Sequence, residues 1–378
     1  DLHMAGLTDS VAVTYDDRGV PHIFAQHEDD LMRAFGFVVA RDRLFQLELQ
    51  TRAVAGTLSE LVGPSALELD REARAQGLAW GAERKWAAIP DTSLHHRLVS
   101  AYADGINAYI AQMGPADLPF EFRLLNARPQ QWKPQYTYYL LARMSLTLAF
   151  SNNELRRAST VALVGEQAAD ALFPANSPIQ EPIQPVDGQR AARMTHVPLP
   201  PPGRPDSGRA SQAASQPAAH AAALAAALAS ALDKAASSIA LADLRPSPNG
   251  ELAVGSNNWA VSPRRTAAGR ALLSGDPHLQ LTLPSIWYEV HLVVPGVIDT
   301  YGVTIPGGPI IPIGFNRSMA WTATNTGADV ADYFEETVDD VRHPSTYRLD
   351  GAWVPLMQRV ESVRGRSGGV LQTDTVYH

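Results

Sequence analysis

From about residue 187 to residue 250 the chain offers almost nothing from which a hydrophobic core can be built. Pro198, Pro200, Pro201, Pro202 and Pro205 come first, and an Ala/Ser tract follows around Ala213 to Ala240. Such small side chains bury too little apolar surface to offset the entropy of ordering them, so the stretch reads as a linker or a removable spacer. A marginal Ala-rich helix near Ala221–Leu232 is compatible with alanine's helix propensity. The spacer divides two flanks of different texture.

The first flank, residues 1 to about 186, is periodic. Leu31, Phe35, Val38, Phe45 and Leu49 follow helical spacing, and Glu28, Asp29 and Asp30 at the start suit a helix dipole. Leu98, Tyr102, Ile106, Tyr109 and Met113 mark a second amphipathic helix, for which Gly114 is the expected C-cap. Ahead of both, Val11–Tyr15 reads as a strand and Asp16–Gly19 as its turn. The second flank, from Gly255, is strand-like. Short strands are expected at Trp259–Val261 and Ala271–Leu273, and longer ones at Trp287–Val294, Val297–Val303 and Ile310–Ile313. The class is α+β, with helices early and a sheet late. At about 150 residues per domain, 378 residues predict two to three domains.

Composition excludes several functions. A formal charge of −8 lacks the basic footprint of a nucleic-acid binder, so no nucleic-acid partner is expected. No run of eighteen apolar residues is present, so no transmembrane helix and no membrane partner are expected. With no cysteine there are no disulfides, thiolate zinc sites or cysteine nucleophiles. The sequence also lacks a Walker A loop, a dinucleotide glycine fingerprint, H-E-x-x-H and G-x-S-x-G.

Gly255-Ser256-Asn257-Asn258-Trp259 stands where the spacer gives way to the strand-rich flank. A serine hydroxyl is a weak nucleophile and needs an adjacent base. If the bond before Ser256 were broken, the serine would carry its own: a free α-amine of pKa about 7.7–8.0, largely neutral near physiological pH. Gly255 before that bond would let the hydroxyl reach its carbonyl. The alternative is a polar turn leading into a strand.

Motifs on both flanks carry a resemblance. They are Arg18-Gly19-Val20-Pro21-His22-Ile23, Phe35 to Glu48 with its core Ala40-Arg41-Asp42-Arg43-Leu44-Phe45-Gln46, Gly56-Thr57-Leu58-Ser59-Glu60, Tyr102-Ala103-Asp104-Gly105 and Trp132-Lys133-Pro134. After the spacer come Gly255 to Trp259, Asp276-Pro277-His278, Tyr288 to Leu292, and Ile313-Gly314-Phe315-Asn316-Arg317 leading to Trp321-Thr322. In this order they resemble the penicillin acylase family of N-terminal-nucleophile hydrolases.

The resemblance implies a four-layer αββα sandwich, incomplete over this chain. It implies an α segment (1–186), an excised spacer (187–255) and the start of a β segment (256–378), the two segments associating as a heterodimer. Ser256 would cleave the Gly255–Ser256 bond autocatalytically and then hydrolyse a small-molecule N-acyl amide through an acyl-enzyme, with no cofactor in the chemistry. The backbone N–H of Asn325 would be one oxyanion donor; the other, a side-chain amide, would lie beyond residue 378. His278 matches a nucleophile-orienting histidine, its plainer reading being a turn residue; His291, inside a strand pattern, reads as structural. Asp329, Ala331 and Asp332, with Glu154 from the α segment, resemble the family's calcium segment, or else an acidic surface turn. Leu279, Ile313 and Phe150 map onto the acyl pocket, or are ordinary core. The family also implies a periplasmic or secreted zymogen, a cytoplasmic one not being excluded. Penicillin-like amides are the leading substrates, acyl-homoserine lactones or lipopeptides the rival. A truncated, catalytically silent binding module is the reading from outside the enzyme class.

Overall fold

In the computed structural model the described residues are 4–149, 153–173, 255–279, 282–325 and 332–377. The spacer, and with it the Ala-rich helix expected near 221–232, lies outside them. So do Phe150, Asp329 and Ala331.

Strand β1 (Ala12–Tyr15) turns back into β2 (Pro21–Phe24) through Asp16, whose Oδ1 accepts the backbone N–H groups of Arg18 and Val20 at 3.0 and 2.8 Å. Helix α1 (Glu28–Ala55) follows and is buried almost all round, with Leu31, Phe35, Val39, Leu47 and Val54 essentially inaccessible. A helix buried this widely, exposed chiefly at Arg41 and Asp42, is the centre of a core rather than its lid. It ends at Gly56, whose left-handed backbone (φ 63°) closes the helix onto the Arg52 carbonyl.

Shorter helices come next: α2 (Leu58–Val62), α3 (Leu67–Gln76) and α4 (Leu78–Ala87). The Asp70 carboxylate accepts both Leu58 N–H and Ser59 N–H at 2.7 Å, satisfying the start of α2, while burial pushes its pKa up. Helix α5 (Leu94–Gln112) is capped at its start by the Ser93 hydroxyl. It ends where Met113 turns extended, and the Gly114 N–H goes to the Asp117 carboxylate, so Gly114 is not the left-handed cap expected from sequence. α6 (Phe120–Leu124) and α7 (Tyr136–Ala149) complete this set.

Helices α8 (Asn153–Val164) and α9 (Glu166–Leu172) belong to a second compact unit, where Arg157 reaches Glu166 at 3.0 Å.

After the spacer, β3 (Gly255–Val261) and β4 (Leu272–His278) form an antiparallel hairpin. Gly255 to Asn258 is therefore strand, not the polar turn of the alternative reading. β5 (Tyr288–Val294), β6 (Ile298–Thr304), β7 (Ile313–Phe315) and β8 (Ala320–Trp321) continue as a meander. The segment expected at Ile310–Ile313 pairs only from Ile313 onward. Two further hairpins, β9 (Thr346–Leu349) with β10 (Ala352–Pro355) and β11 (Gln358–Arg364) with β12 (Val370–Tyr377), were not expected from sequence.

The main sheet runs β1-β2-β5-β6-β7-β8, and within it β2 pairs in parallel with β5, His22 opposite His291. The chain's first strands thus complete a sheet begun after the spacer. One face, with Ile23, Val290, Leu292 and Val294, packs into the α1, α5 and α7 core that holds Phe35, Tyr102 and Tyr139. On the other face His22 Nδ1 meets His291 Nδ1 at 3.0 Å, and His291 Nε2 meets Asp299 at 3.0 Å. The hydrogen bond from His291, with Arg317, holds the Asp299 carboxyl below the usual range. His291 is structural, as its strand pattern indicated.

Candidate active site

Ser256 is the second residue of β3, partly buried, with its Cα opposite Pro277. Gly255 faces His278 and Asn257 faces Asp276. Side chains alternate across a pleat and directly opposed residues share a face. Ser256, Asn258, Pro277 and Gly275 therefore occupy one face of the hairpin; Asn257, Trp259, Asp276 and His278 occupy the other.

The Asp276–His278 pair is formed on that second face, Oδ2 to Nε2 at 2.9 Å. With the carboxylate accepting, Nε2 is the donor of this hydrogen bond. The alternation sends the His278 ring away from the Ser256 side chain, so the structure does not bring the two side chains together. What His278 places next to the scissile position is its backbone.

The Ser256 face is covered from another direction. A Cβ built on Gly275 would stand 1.9 Å from Thr322 Oγ1, so Thr322 lies over the same face as Ser256. That stretch leaves β8 at Trp321, whose Nε1 donates to the Ile311 carbonyl at 2.9 Å. Asn325 is tied through its side chain, Nδ2 donating to the Leu148 carbonyl of α7 at 2.8 Å. The candidate nucleophile and Thr322 thus share one face of the hairpin, and a helix of the first flank holds Asn325, three residues on.

The other candidates are placed less tellingly. Leu279 follows β4, its N–H on the Pro277 carbonyl at 3.1 Å; Ile313 begins β7 opposite Val303. Both are partly buried. Asp332 is exposed, and Glu154 sits in the first turn of α8 in the other compact unit. Among the described residues no group of three or more His, Asp and Glu side chains is placed to hold a metal ion.

Sequence reasoning missed Thr322, Gly275 and Leu148. None carries a chemical signature of its own; only the register and the close approach reveal them.

A family profile described as penicillin amidase matches residues 10–378. The chain belongs to the penicillin amidase family. It is 32% identical over 381 aligned residues to the penicillin acylase 2 proenzyme of Pseudomonas sp. (strain SE83), covering 99% of this chain and 43% of that protein. It is 29% identical to the acyl-homoserine lactone acylase QuiP of Pseudomonas aeruginosa, covering 94% of this chain and 38% of that protein. A solved structure, the thermostable penicillin G acylase from Alcaligenes faecalis, aligns with 50% of this chain and 98% of its own at 28% identity and a TM-score of 0.40. The chain spans less than half the length of both curated relatives. No helix among the described residues is long and apolar enough to cross a membrane.

Proposed function

We propose that this chain carries the nucleophile of a self-processing amidohydrolase. The observation that bears most weight is the placement of Ser256 at the start of a strand directly after the spacer, on the hairpin face that Thr322 packs against. The Ser256 hydroxyl attacks the Gly255 carbonyl, and the peptide C–N bond breaks as the C–O bond forms. The acyl group now rests on Oγ, and the nitrogen has become a free amine. Water hydrolyses this ester, leaving a Gly255 carboxylate and a Ser256 with both hydroxyl and amine.

In turnover the amine takes the hydroxyl proton through a water as Oγ attacks a substrate amide. The proton passes to the departing amine product, and water then releases the acid. Developing negative charge on the substrate carbonyl needs donors already in place; the Asn325 backbone N–H is the one proposed here. Asp276 and His278 stiffen the strand opposite the scissile bond rather than supply the base. The name proenzyme on the Pseudomonas sp. relative supports a precursor that is cut.

After cleavage the segments would stay together as a heterodimer through contacts already made. These are the β2–β5 pairing, the Tyr102 hydroxyl accepting from Gly307 N–H (3.1 Å), Thr137 donating to the Gly307 carbonyl (2.9 Å) and Tyr288 donating to Asp42 (2.6 Å). The four-layer sandwich and a periplasmic or secreted location belong to the same proposal. Intact-mass analysis of the purified protein tests the cleavage.

The acyl group is proposed to be aliphatic, a reading that the relative named an acyl-homoserine lactone acylase also supports. Leu279 and Ile313 lack flat ring faces, so aromatic contacts worth about 0.5–1.5 kcal/mol would be missing. Each methylene of a flexible chain would still contribute about 0.8 kcal/mol. Hexanoyl and octanoyl amides of one chromogenic amine are expected to match or exceed the phenylacetyl amide in kcat/KM. A phenylacetyl preference of tenfold or more, about 1.4 kcal/mol in transition-state binding, contradicts this pocket.

Calcium is proposed as a structural ion. The carboxylates of Asp329 and Asp332 and the Ala331 carbonyl are hard oxygen donors of the kind it takes, though they fill only part of its six to eight positions. An ion at 100 times its Kd stabilises by about 2.7 kcal/mol, or about 3–4 °C in Tm at this size. Asp332→Ala is therefore expected to lower Tm and slow maturation, while enzyme that has matured keeps kcat within about twofold. Protein without calcium by elemental analysis, whose melting chelator leaves unchanged, contradicts it.

A further inference from the structure

We propose that Gly275 and Thr322 form a size-matched contact that fixes the Thr322–Asn325 stretch over the Ser256 face of the β3–β4 hairpin. Thr322 is thereby a positioning residue for the oxyanion donor. This rests on the reading of Ser256 and Asn325 above.

Three observations carry it. Gly275 lies on the Ser256 side of the pleat, two residues before the Pro277 that Ser256 opposes. A Cβ at Gly275 would meet Thr322 Oγ1 at 1.9 Å, Cβ at 2.5 Å and Cγ2 at 2.8 Å, distances real Cβ atoms essentially never show. Thr322 Oγ1 is buried without a hydrogen-bond partner among the described residues. The side chain is thus seated by shape against the bare glycine backbone rather than by its hydroxyl. As a β-branched residue it has little rotamer freedom with which to step aside.

The geometry makes the stretch a short span with three holds. Trp321 pairs with Gly314 in the main sheet, Thr322 rests on the nucleophile hairpin, and Asn325 hangs from Leu148 of α7. The middle hold relates the donor stretch to the nucleophile strand. A side chain added at Gly275 must push the two apart by about 1 Å, and misplacement of that size can cost about 100-fold in rate.

The test is a size swap in the full-length protein: Gly275→Ala, Thr322→Gly and the double variant. Three quantities are read: appearance of the Ser256 terminus, kcat and KM on one chromogenic amide, and Tm. Gly275→Ala is expected to slow maturation and lower kcat by about 10- to 100-fold, with KM within about threefold. Thr322→Gly, which leaves a gap, is expected to lower kcat as well. The double variant is expected to recover to within about fivefold of wild type, a coupling that independent sites do not show. Should Gly275→Ala alone fail to fold, recovery of folded, matured enzyme in the double variant decides for the contact. Wild-type kcat in Gly275→Ala, a fall in Tm with kcat of the folded fraction unchanged, or a double variant no better than the worse single overturns it. Normal maturation with no coupling overturns this contact alone. A wild-type protein active with its Gly255–Ser256 bond intact overturns the nucleophile reading and this inference with it.

Discussion

Replacing Ser256 by alanine is expected to leave the full-length protein as one uncut chain with no measurable amide hydrolysis. The same oxygen is assigned both steps, so one substitution removes both. Alanine keeps the strand: it fits β3 sterically and leaves the pairing with Pro277 intact. Fold and melting should therefore stay close to those of the wild-type precursor, which separates loss of chemistry from loss of structure. The size of the effect follows from the absence of any substitute nucleophile in the proposed mechanism. Removing a member of a nucleophilic unit in a serine protease costs about 10⁶-fold in kcat, and a loss of that order takes activity below detection. A Ser256→Ala protein that still matures to the same terminus with no protease present contradicts self-processing. One that is uncut yet hydrolyses amides places the nucleophile elsewhere.

The second large effect is expected in the helical core, far from Ser256. Helices α1 and α5 touch backbone to backbone at two reciprocal points. A Cβ on Gly36 would stand 2.0 Å from the Tyr102 carbonyl oxygen, and one on Gly105 would stand 1.9 Å from the Arg33 carbonyl oxygen. Neither oxygen can rotate away, so Gly105→Ala must drive the helices apart. That separation would disturb the edge-to-face pair of Phe35 and Tyr102, 5.3 Å between centroids, and the bond from Gly307 N–H to the Tyr102 hydroxyl. Two terms of opposite sign compete. Helix propensity favours alanine over glycine by about 1 kcal/mol, whereas overpacking a core costs about 1–3 kcal/mol and occasionally more. With backbone as the obstacle the packing cost should win, giving a net loss of about 2 kcal/mol or more from a stability of order 5–15 kcal/mol. Chemical denaturation of Gly105→Ala measures it. A variant as stable as wild type, or more stable, shows that the helices are not in contact there.

Those two glycines also mark how far the sequence could be read. Both stand inside stretches that carried the family resemblance, Phe35-Gly36-Phe37 and Ala103-Asp104-Gly105. As letters they were part of a pattern; only the crossing shows what each permits. Helix α1 was legible because its apolar residues recur at helical spacing and its acidic start suits the dipole. β5 and β6 were legible as near-continuous β-branched and aromatic runs. The β2–β5 pairing was not, since nothing local says that Pro21–Phe24 joins a strand across the spacer. β9 and β10 were missed because they are only four residues long, and β11 and β12 because they are largely exposed and carry many polar residues, which weakens the strand signal. At the site, Ser256 was legible from its place after the spacer. The opposite-face placement of His278 needed the β3–β4 register, and Thr322 needed the close approach of two strands' neighbours.

Everything in the proposed mechanism passes through one bond. Intact mass of the purified full-length protein, followed by N-terminal sequencing, tests it most directly. The account predicts two polypeptides that copurify, the second beginning Ser-Asn-Asn-Trp, their masses summing to that of the uncut chain plus one water, or to less by the mass of the spacer once a second cut near residue 186 has removed it. A fully active protein recovered as a single chain with the Gly255–Ser256 bond intact would contradict it.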